Sequence, residues 1–457
     1  MSKKLYIKTY GCQMNVYDSD RMADLMAPHG YTACDTPDEA DLVVLNTCHI
    51  REKAEDKVYS DLGRMRKLRA EKEKAGGGKM LIAVGGCVGQ AEGDEITRRA
   101  PYVDMVFGSQ SYHTLPDLVT RALRGERPEA SLDFSPEPKF DFLLEQSSAP
   151  GSTFGKAEFV TVQEGCDKFC TFCVVPYTRG AELSRKAGDV MTEVRNLAER
   201  GVMEVTLLGQ NVNAYHGTGP DGSDWTLAKL IREIANVDGI ERIRYTTSHP
   251  RDMDDELIAA HGEVEELMPY LHLPIQSGSN NTLSKMNRRH QADFYLNIIE
   301  KLRKVRPDIA LSSDFIVGFP GETDLDFAAT LRLVETVGYA QAYSFAYSPR
   351  PGTPAAADEN QVPQEVKNER LQQLQALLVR QQTAFNKASV GKSMKVLLDR
   401  KGKFEGQLLG KSPYMQSVHV QDAEVHVDSI VEVTITEGHQ NSLTGIIGNP
   451  EERQRVG

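Results

Sequence analysis

The sequence has no uninterrupted apolar run of 18 residues, so no segment predicts a membrane-spanning helix. Its first residues, MSKKLYIKTYGC, lack the hydrophobic core of a secretory signal peptide. It also has no internal repeat of fixed period and no low-complexity tract. These absences leave an ordinary soluble protein, which we expect in the cytoplasm with no membrane as a partner.

The composition of the chain agrees with that class. Its 457 residues, 40% hydrophobic and 26% charged, suffice for about three domains whose cores need no disulfides. The formal net charge of −12 argues against indiscriminate binding to nucleic acid or anionic membranes, although a local basic surface could still bind RNA. The seven cysteines, an odd number, predict metal ligands or reactive thiols.

Residues 1–127 alternate short apolar runs with helix-like stretches, a pattern typical of a doubly wound parallel sheet. The stretch 51–74 has apolar residues at helical spacing, carries nine Lys or Arg against six Asp or Glu, and predicts a helix that ends at Gly76, Gly77 and Gly78. Residues 128–153, rich in Pro, Ser and charge, have no sustained period. They predict a linker between domains.

A longer series of β/α units occupies residues 154–388. Its six strand-like runs are EFVTVQE, VMEVTLLG, RIRYTTS, YLHLPI, IALSSDFIVG and AQAYSFAY. A full TIM barrel needs eight such units, so this series predicts a partial (β/α)6 barrel that is open on one side. An amphipathic helix then leads to residues 389–449, whose short alternating runs predict a small antiparallel β-barrel.

Three cysteines stand close together in GCDKFCTFC, directly after the first strand of the partial barrel. Cys166, Cys170 and Cys173 form a C-x3-C-x2-C pattern. A zinc site or plain packing are the alternatives, but structural zinc takes four ligands, and no histidine or fourth cysteine lies within forty residues. Three thiolates instead suit a cubane iron–sulfur cluster with one iron open to another ligand.

Cys12, Cys48 and Cys87 are far apart in the sequence but share a setting. Each follows a predicted parallel strand, in KTYGC, LNTC and VGGC, where open α/β sheets build ligand sites. Packing explains any one of them, but three at equivalent positions indicate a common site. The glycines beside them would let the backbone approach a bulky cluster. Cys34 has no such setting and is interpreted as structural.

The motif GCDKFCTFC and the β/α units behind it resemble the radical S-adenosylmethionine (SAM) superfamily, a fold of six β/α units whose open iron chelates SAM. The combination of both triads with a C-terminal barrel resembles the methylthiotransferases over essentially the whole chain, and that barrel would be their TRAM domain. The segments TYGCQMN and NTCHIREKAEDK resemble those of the methylthiotransferase branch that acts on isopentenylated adenosine in tRNA.

This resemblance implies two [4Fe–4S] clusters and two uses of SAM. The cluster on Cys166, Cys170 and Cys173 would reduce SAM to a 5′-deoxyadenosyl radical, which takes hydrogen from C2 of the adenine. The cluster on Cys12, Cys48 and Cys87 would hold the sulfur, methylated by a second SAM, that is transferred to C2. The implied substrate is adenosine 37, next to the tRNA anticodon, and the implied partners are that tRNA and a flavodoxin- or ferredoxin-type electron donor, with the chain as a monomer.

Other functions remain open from the sequence. The same chemistry could act on threonylcarbamoyl-adenosine in tRNA or on a ribosomal-protein aspartate. A chain of another class could sense redox state through iron–sulfur clusters and bind RNA without turnover. The C-x3-C-x2-C motif favours an enzyme, since a binding module needs no open iron.

Candidate contacts to SAM are polar or aromatic residues near the ends of the barrel strands. Phe172 lies inside the C-x2-C segment, where the resemblance implies a position near the adenine of SAM. The polar candidates could equally be caps or loop residues. They are Gln210, Asn211, Gln276, Ser277 and Asp314.

Two basic regions offset the acidic total and are candidates for RNA binding. Residues 390–411 have a net charge of +4 and include Phe404, with Tyr414 nearby, for base stacking. The predicted helix 51–74 is the other region, and either could be only a solvated face. The TRAM resemblance favours the C-terminal barrel and its basic residues, Lys392, Lys395, Arg400, Lys401, Lys403 and Lys411.

Overall fold

The computed structural model describes residues 2–48, 54–126, 129–133, 155–421, 423 and 426–448. The described chain forms two compact units. The first takes its residues from Met1–Ser152, Gln163–Asp167 and Cys173–Arg185, and the second from Thr153–Val162, Lys168–Phe172 and Lys186–Gly457. The segment that carries the C-x3-C-x2-C motif therefore contributes to both units.

The first unit is built on a five-stranded parallel sheet. Its elements in chain order are β1 (Lys3–Thr9), α1 (Gln13–Met26), β2 (Tyr31–Ala33), β3 (Leu42–Thr47), α2 (Ala54–Lys74), β4 (Leu81–Gly85), α3 (Gly86–Arg99), β5 (Met105–Val106) and α4 (Leu115–Leu123). The strands pair in the order β2-β1-β3-β4-β5, all in parallel. All six residues of the central strand β3 are buried, as expected for a strand covered on both faces.

Separate apolar cores lie on the two faces of this sheet. Leu42 and Val44 of β3 face one core, which also contains residues of α1 and α4. Val43 and Leu45 face the other, which contains residues of α2 and α3. Because successive side chains of a strand point to opposite faces, this split confirms the predicted doubly wound sheet.

The next part of the chain contains the β/α units. Its elements are β6 (Ala157–Thr161), β7 (Gln163–Glu164), α5 (Val175–Arg179), β8 (Leu183–Ser184), α6 (Ala187–Glu199), β9 (Glu204–Leu208), β10 (His216–Thr218), β11 (Asp224–Thr226), α7 (Leu227–Ala235), β12 (Arg242–Thr246), α8 (Asp255–Glu263), β13 (Tyr270–His272), α9 (Asn280–Lys285), α10 (Ala292–Val305), β14 (Ala310–Val317), α11 (Asp324–Val337) and β15 (Gln341–Ala346). Of these, β7, α5 and β8 belong to the first unit.

Six of these strands form the wall of the partial barrel in the second unit. They pair in parallel as β12-β9-β6 and β13-β14-β15, and a bridge between Ile243 and Leu267 continues the wall between the groups. Leu311, Phe315 and Val317 of β14 pack outward with the surrounding helices. The alternate residues Ser312, Asp314 and Ile316 therefore face the interior. This arrangement confirms the predicted partial barrel.

The long helix α12 (Gln364–Lys387) leads to a closed five-stranded barrel. Its strands are β16 (Ser393–Lys401), β17 (Leu408–Lys411), β18 (Ser417–Val420), β19 (Ser429–Gly438) and β20 (Leu443–Ile447), paired in the order β16-β17-β18-β20-β19. The pair β18 and β20 is parallel, whereas the sequence predicted only antiparallel pairs. An odd number of strands in a closed ring cannot alternate in direction at every step, so one parallel pair must occur.

Two buried arginines of β12 attach the small barrel to the partial barrel. Arg242 donates to the carbonyl oxygens of Lys395 and Lys411, at 2.8 and 3.1 Å. Arg244 donates to the carbonyl oxygens of Ser412 and Pro413, both at 2.9 Å. Both guanidinium groups also pair with Glu204 of β9. Glu204 thus offsets one of the two buried positive charges, and the four carbonyl oxygens give both guanidinium groups hydrogen-bond acceptors, which burial of charge requires.

Several local features differ from the sequence predictions. Strand β2 and the hairpin of β10 and β11 were not predicted. The predicted start of helix α2 and most of the predicted linker lie outside the described residues. The part of that linker that is described, 129–133, lies along the sheet through a bridge between Ser131 and Phe107. Among the described helices, none is long and apolar enough to cross a membrane.

Candidate functional site

The first candidate site lies at the carboxyl ends of three neighbouring strands of the first unit. Cys12 stands between β1 and α1, Cys48 directly follows β3, and Cys87 is the second residue of α3, after β4. These strands are adjacent in the sheet order, so the residues after them meet at one edge. Cys48 and Cys87 are buried and Cys12 is half-buried.

Two glycines in left-handed backbone conformations allow the cysteine loops to approach each other. A Cβ atom at Gly11, where φ is +97°, would overlap the Cys48 side chain. A Cβ atom at Gly86, where φ is +86°, would lie 2.6 Å from Asn46 Oδ1. Residues other than glycine rarely adopt this backbone conformation, and the space beside each Cα holds no Cβ atom. These positions are therefore restricted to glycine on two independent grounds.

The thiols of this triad interact with one another and with Arg179. A hydrogen bond with Cys48 lowers the pKa of the Cys12 thiol, and the positive charge of Arg179 adds to this effect. Burial raises the pKa of the Cys87 thiol, and the charge of Arg179 opposes that rise. Nearby positive charge favours the thiolate, the form that binds metal. The three sulfurs and this guanidinium thus form one electrostatic group.

Cys34 also follows a parallel strand but does not join this group. Its amide donates to the carbonyl of Leu5, in the first half of β1, because the edge strand β2 is only three residues long. Cys12 lies seven residues beyond Leu5, past the end of β1. The Cys34 thiol instead donates to the carbonyl of Thr36 at 3.4 Å.

The C-x3-C-x2-C motif forms the second candidate site. In the first unit, the amide of Cys166 donates to the carbonyl of Gly180 at 3.3 Å. In the second unit, the Cys170 sulfur accepts from Arg288 Nη1 at 3.5 Å. All three cysteines of the motif are half-buried, and each interacts with other groups of the protein.

The turn from 285 to 289 holds the motif backbone in the second unit. The amide of Thr171 donates to Met286, and its hydroxyl donates to the carbonyl of Lys285 at 2.8 Å. Asn287 Nδ2 donates to the carbonyl of Phe169 at 2.9 Å. Phe169 and Asn287 have positive φ angles, as do Thr247, Gln276 and Arg289. Thr247 and Gln276 come after the barrel strands β12 and β13, and the other three lie in the cysteine motif and in the turn that holds it. Such strain clusters at functional sites.

The predicted SAM contacts near β6 and β9 have different surroundings. The ring of Phe172 packs edge-on against Phe319, with centroids 6.3 Å apart. Gln210 is half-buried, two residues after β9. Asn211 is 1% exposed, and its Nδ2 donates to Asp252 Oδ2 at 2.8 Å. Gln210 therefore offers a more accessible amide than Asn211.

The structure brings two of the three candidates near β14 into contact. The backbone N–H of Gln276 donates to the backbone carbonyl of Asp314, and both residues are half-buried. Asp314 also lies 3.7 Å from His272 Nε2. Ser277 has no exposed surface, and its hydroxyl hydrogen-bonds Thr330 of α11 at 3.2 Å. Ser277 thus helps to fix the strand end beneath α11, whereas Gln276 and Asp314 are accessible.

The predicted RNA-binding residues divide into three groups. Arg400, Lys401 and Lys403 are exposed at the turn between β16 and β17, next to Phe404, which is 64% exposed. Lys392 and Lys395 are exposed near the start of β16. Lys411 is half-buried and donates to Ser417, and burial lowers its pKa. The turn is therefore the densest accessible basic surface of the small barrel.

Tyr414, an expected base-stacking residue, has a structural role instead. Its hydroxyl donates to Asp308 Oδ2 at 3.0 Å, and its ring packs edge-on against Phe385 of α12. On helix α2, Arg69 pairs with Asp104 and Lys72 with Asp41, so part of that helix's positive charge is neutralised within the first unit.

The donor chemistry of both sites fits iron–sulfur clusters. Each site offers three thiols, the usual protein ligands of such clusters. Among the described residues, no group of three or more His, Cys, Asp or Glu side chains is arranged to hold a single metal ion.

Comparisons with known proteins match three successive parts of the chain. Residues 4–108 match the model of Uncharacterized protein family UPF0004, residues 160–334 that of the Radical SAM superfamily, and residues 387–447 that of the TRAM domain. Together with the partial barrel and its three-cysteine motif, these matches define a radical SAM methylthiotransferase. Its cofactors are SAM and [4Fe–4S] clusters.

Close relatives identify the family within that class. A tRNA-2-methylthio-N(6)-dimethylallyladenosine synthase from Rickettsia bellii is 57% identical over 98% of this chain and 100% of its own length. The synthase from Rickettsia felis is 57% identical over 97% and 99%. The chain belongs to the tRNA-2-methylthio-N(6)-dimethylallyladenosine synthase family. The predicted enzyme class and branch are thereby confirmed, and tRNA is the substrate.

Solved structures support the fold at much lower identity. The radical SAM methyltransferase TsrM from Kitasatospora setae, with cobalamin and a [4Fe–4S] cluster bound, has a TM-score of 0.57 at 15% identity and covers 78% of this chain and 77% of its own. The cobalamin-dependent radical SAM enzyme OxsB has a TM-score of 0.51 at 14% identity and covers 82% and 56%. At this identity the likeness concerns the fold alone.

Sequence reasoning missed the charged network behind the first triad. Arg179 and Glu164 flank the C-x3-C-x2-C motif, with Glu164 two residues before Cys166 and Arg179 six residues after Cys173. Opposite charges on either side of a short cysteine segment are the local signal that could have indicated an ion pair closing the segment into a loop. That pair is present, at 2.7 Å.

Proposed function

We propose that this enzyme transfers a methylthio group to C2 of N6-isopentenyladenosine at position 37 of tRNA. The convergence of Cys12, Cys48 and Cys87 on one strand edge carries this proposal, because sulfur insertion needs a cluster site beyond the one that cleaves SAM. The names of the close relatives support the dimethylallyl substrate. When bound, the clusters and SAM supply the radical that removes hydrogen from C2 and the methylated sulfur that replaces it.

In this proposal the protein's own residues hold the two clusters and position SAM beside them. Residues 1–127 hold the auxiliary cluster on Cys12, Cys48 and Cys87, and residues 128–153 link them to the barrel. Residues 154–388 hold the second cluster on Cys166, Cys170 and Cys173. Gln210, Gln276 and Asp314 offer polar groups to SAM, Phe172 offers an apolar wall, and Asn211 and Ser277 keep the strand ends in place.

Residues 389–449 bind the tRNA in this proposal. Phosphates contact Arg400, Lys401 and Lys403, and the exposed ring of Phe404 stacks on a base. The positive electrostatic potential that attracts the tRNA is increased by Lys392, Lys395 and Lys411. The enzyme works as a monomer with a flavodoxin- or ferredoxin-type electron donor. Seven cysteines kept as thiols or cluster ligands need a reducing compartment, which supports the cytoplasm.

Nucleoside mass spectrometry of tRNA from a deletion strain tests the substrate. We expect loss of the 2-methylthio-isopentenyl nucleoside and accumulation of the isopentenyl nucleoside, with recovery when the gene is restored. Restoration with a Cys34→Ala variant should succeed equally well. Loss of a methylthio-threonylcarbamoyl nucleoside instead, with the isopentenyl product intact, would overturn the assignment.

A further inference from the structure

Arg179 is buried in the first unit and belongs to no predicted site. It lies at the end of α5, and its side chain is 3% exposed. Its Nη1 donates to Glu164 Oε1 at 2.7 Å, and its Nη2 donates to Asp18 Oδ2 at 2.8 Å. A buried ionic network of this kind is expensive to form, so it calls for a reason beyond stability.

Asn15 connects this network to the cysteine loops. Arg179 Nη2 donates to Asn15 Oδ1 at 2.8 Å, and the Cys12 thiol donates to the same oxygen at 3.8 Å. Asn15 Nδ2 donates to the carbonyls of Tyr10 and Thr47, at 2.8 and 2.9 Å. These carbonyls lie two residues before Cys12 and directly before Cys48. The Asn15 side chain therefore fixes both loops, and Arg179 fixes Asn15.

The network also has an electrostatic consequence for the triad. Arg179 Nη2 and the Cys12 thiol hydrogen-bond the same Asn15 oxygen, so the guanidinium charge lies beside the Cys12 loop in a position that water does not reach. A cluster held by three cysteine thiolates would carry net negative charge beside two buried carboxylates, Asp18 and Glu164. Charges interact more strongly in this dry environment than at the surface. Arg179 is placed to offset that negative charge.

We propose that Arg179 is a positioning residue of the auxiliary cluster site, which orients Asn15 between the Cys12 and Cys48 loops and raises the reduction potential of the cluster bound there. The inference rests on the proposed assignment of Cys12, Cys48 and Cys87 as cluster ligands. Reduction adds one electron to the cluster, so a nearby positive charge favours the reduced state and a nearby negative charge disfavours it.

The test uses the full chain with Cys166, Cys170 and Cys173 changed to Ala, which leaves only the auxiliary cluster. An EPR-monitored redox titration then gives its midpoint potential without turnover. We expect Arg179→Met to lower the potential and Glu164→Gln to raise it, while Arg179→Lys stays closest to the parent. The nearly isosteric Glu164→Gln keeps the test decisive if Arg179→Met fails to fold.

Arg370→Met is the matched control. It removes another buried arginine, paired with Glu322 at 2.8 Å in the second unit, and should leave the potential unchanged. Unchanged potentials in Arg179→Met and Glu164→Gln, with the cluster still bound, would reduce the network to a structural ion pair and overturn the inference. Absence of iron from the parent variant would overturn the ligand assignment itself. A potential that shifts as expected supports Arg179 even if the nucleoside substrate proves different.

Discussion

The two cysteine triads of this protein are built in opposite ways. Cys166, Cys170 and Cys173 lie within eight consecutive residues, so one loop carries all three thiols. Cys12, Cys48 and Cys87 are 36 and 39 residues apart, and only the parallel pairing of β1, β3 and β4 brings them to one edge. The first arrangement is encoded locally, and the second depends on the whole sheet.

This difference predicts different vulnerabilities. A local motif keeps its ligands near one another even when its surroundings move, because chain connectivity limits their separation. An assembled triad loses its geometry whenever a strand end or a supporting glycine shifts. The auxiliary site should therefore be the easier of the two to lose by substitutions that touch no cysteine.

The largest expected effects come from removing each triad in turn. With Cys166, Cys170 and Cys173 changed to Ala, we expect about four of about eight irons to remain and 5′-deoxyadenosine formation to stop. With Cys12, Cys48 and Cys87 changed to Ala, about four irons should remain and SAM cleavage should continue, but no methylthio product should form. Iron analysis and chromatography of the products measure both. Reductive SAM cleavage by the first variant would reverse the roles.

Gly11→Ala should break the assembled site without touching a ligand. The substitution places a Cβ against Cys48 and forces a left-handed backbone on alanine, at a cost of about 1–3 kcal/mol. We expect loss of the auxiliary irons with continued SAM cleavage. Gly30→Ala is the control, because Gly30 also has a positive φ but no atom lies within 4 Å of an added Cβ. This variant should keep all the iron. Equal iron contents in the two variants would contradict the dependence on close approach.

A similar contrast applies to the two basic regions. Arg400, Lys401 and Lys403 are exposed at one turn, where only Arg400 has an ion pair, with Asp399. On helix α2, Arg69 and Lys72 are paired and less exposed. Changing all three turn residues to Gln should weaken tRNA binding and reduce the salt dependence of log K by up to about 2–3 units, at roughly 0.7–0.9 per phosphate. Salt titrations of tRNA binding measure this slope.

The matched control changes three exposed residues of α2, Arg64, Lys67 and Lys74, to Gln. It should leave the slope nearly unchanged, and SAM cleavage without RNA should be unaffected in both variants. A slope that falls only in the α2 variant would move the RNA site to the first unit. Deleting the small barrel is a poorer test, because it would uncover Arg242 and Arg244.

The last prediction concerns how the stability of the second unit depends on pH and leaves both cluster sites untouched. His261 is fully buried, accepts or donates a 2.7 Å hydrogen bond with Tyr245, and burial lowers its pKa from 6.5 to about 3. Below pH 6.5 the unfolded state therefore binds a proton that the folded state does not. The free energy of unfolding should fall by up to about 1.4 kcal/mol per pH unit from this group as the pH drops from 6.5 towards 3.

Fluorescence of the single tryptophan, Trp225, reports unfolding of the second unit, which contains it. Urea titrations at several pH values should show a shallower acid dependence for His261→Gln, which keeps a hydrogen-bonding group for Tyr245. The same acid dependence in both proteins would assign the loss of stability to other groups.

The sequence predicted the elements whose patterns are local and strong. All four strand runs of the sheet core, the six barrel strands and the five strands of the small barrel are present. The missed strands are short: β2 has three residues and β8 two, too few for a pattern, and β10 and β11 form a hairpin with three residues in each strand. The role of Tyr414 and the contacts of Arg179 with Asn15 and Asp18 depend on residues distant in sequence, which no local pattern reveals.

The attachment of the small barrel through Arg242 and Arg244 has a consequence for how such chains can diverge. All four acceptors are backbone carbonyls, which every amino acid provides. The arginines thus recognise the course of the main chain and not its side chains. Substitutions on the outer surface of the small barrel can therefore change the properties of that surface without removing these four hydrogen bonds. For these four hydrogen bonds, an exchange of that module between related enzymes needs to preserve only the backbone path at residues 395 and 411–413. The contacts of Tyr414 with Asp308 and Phe385 depend on its side chain and must be kept as well.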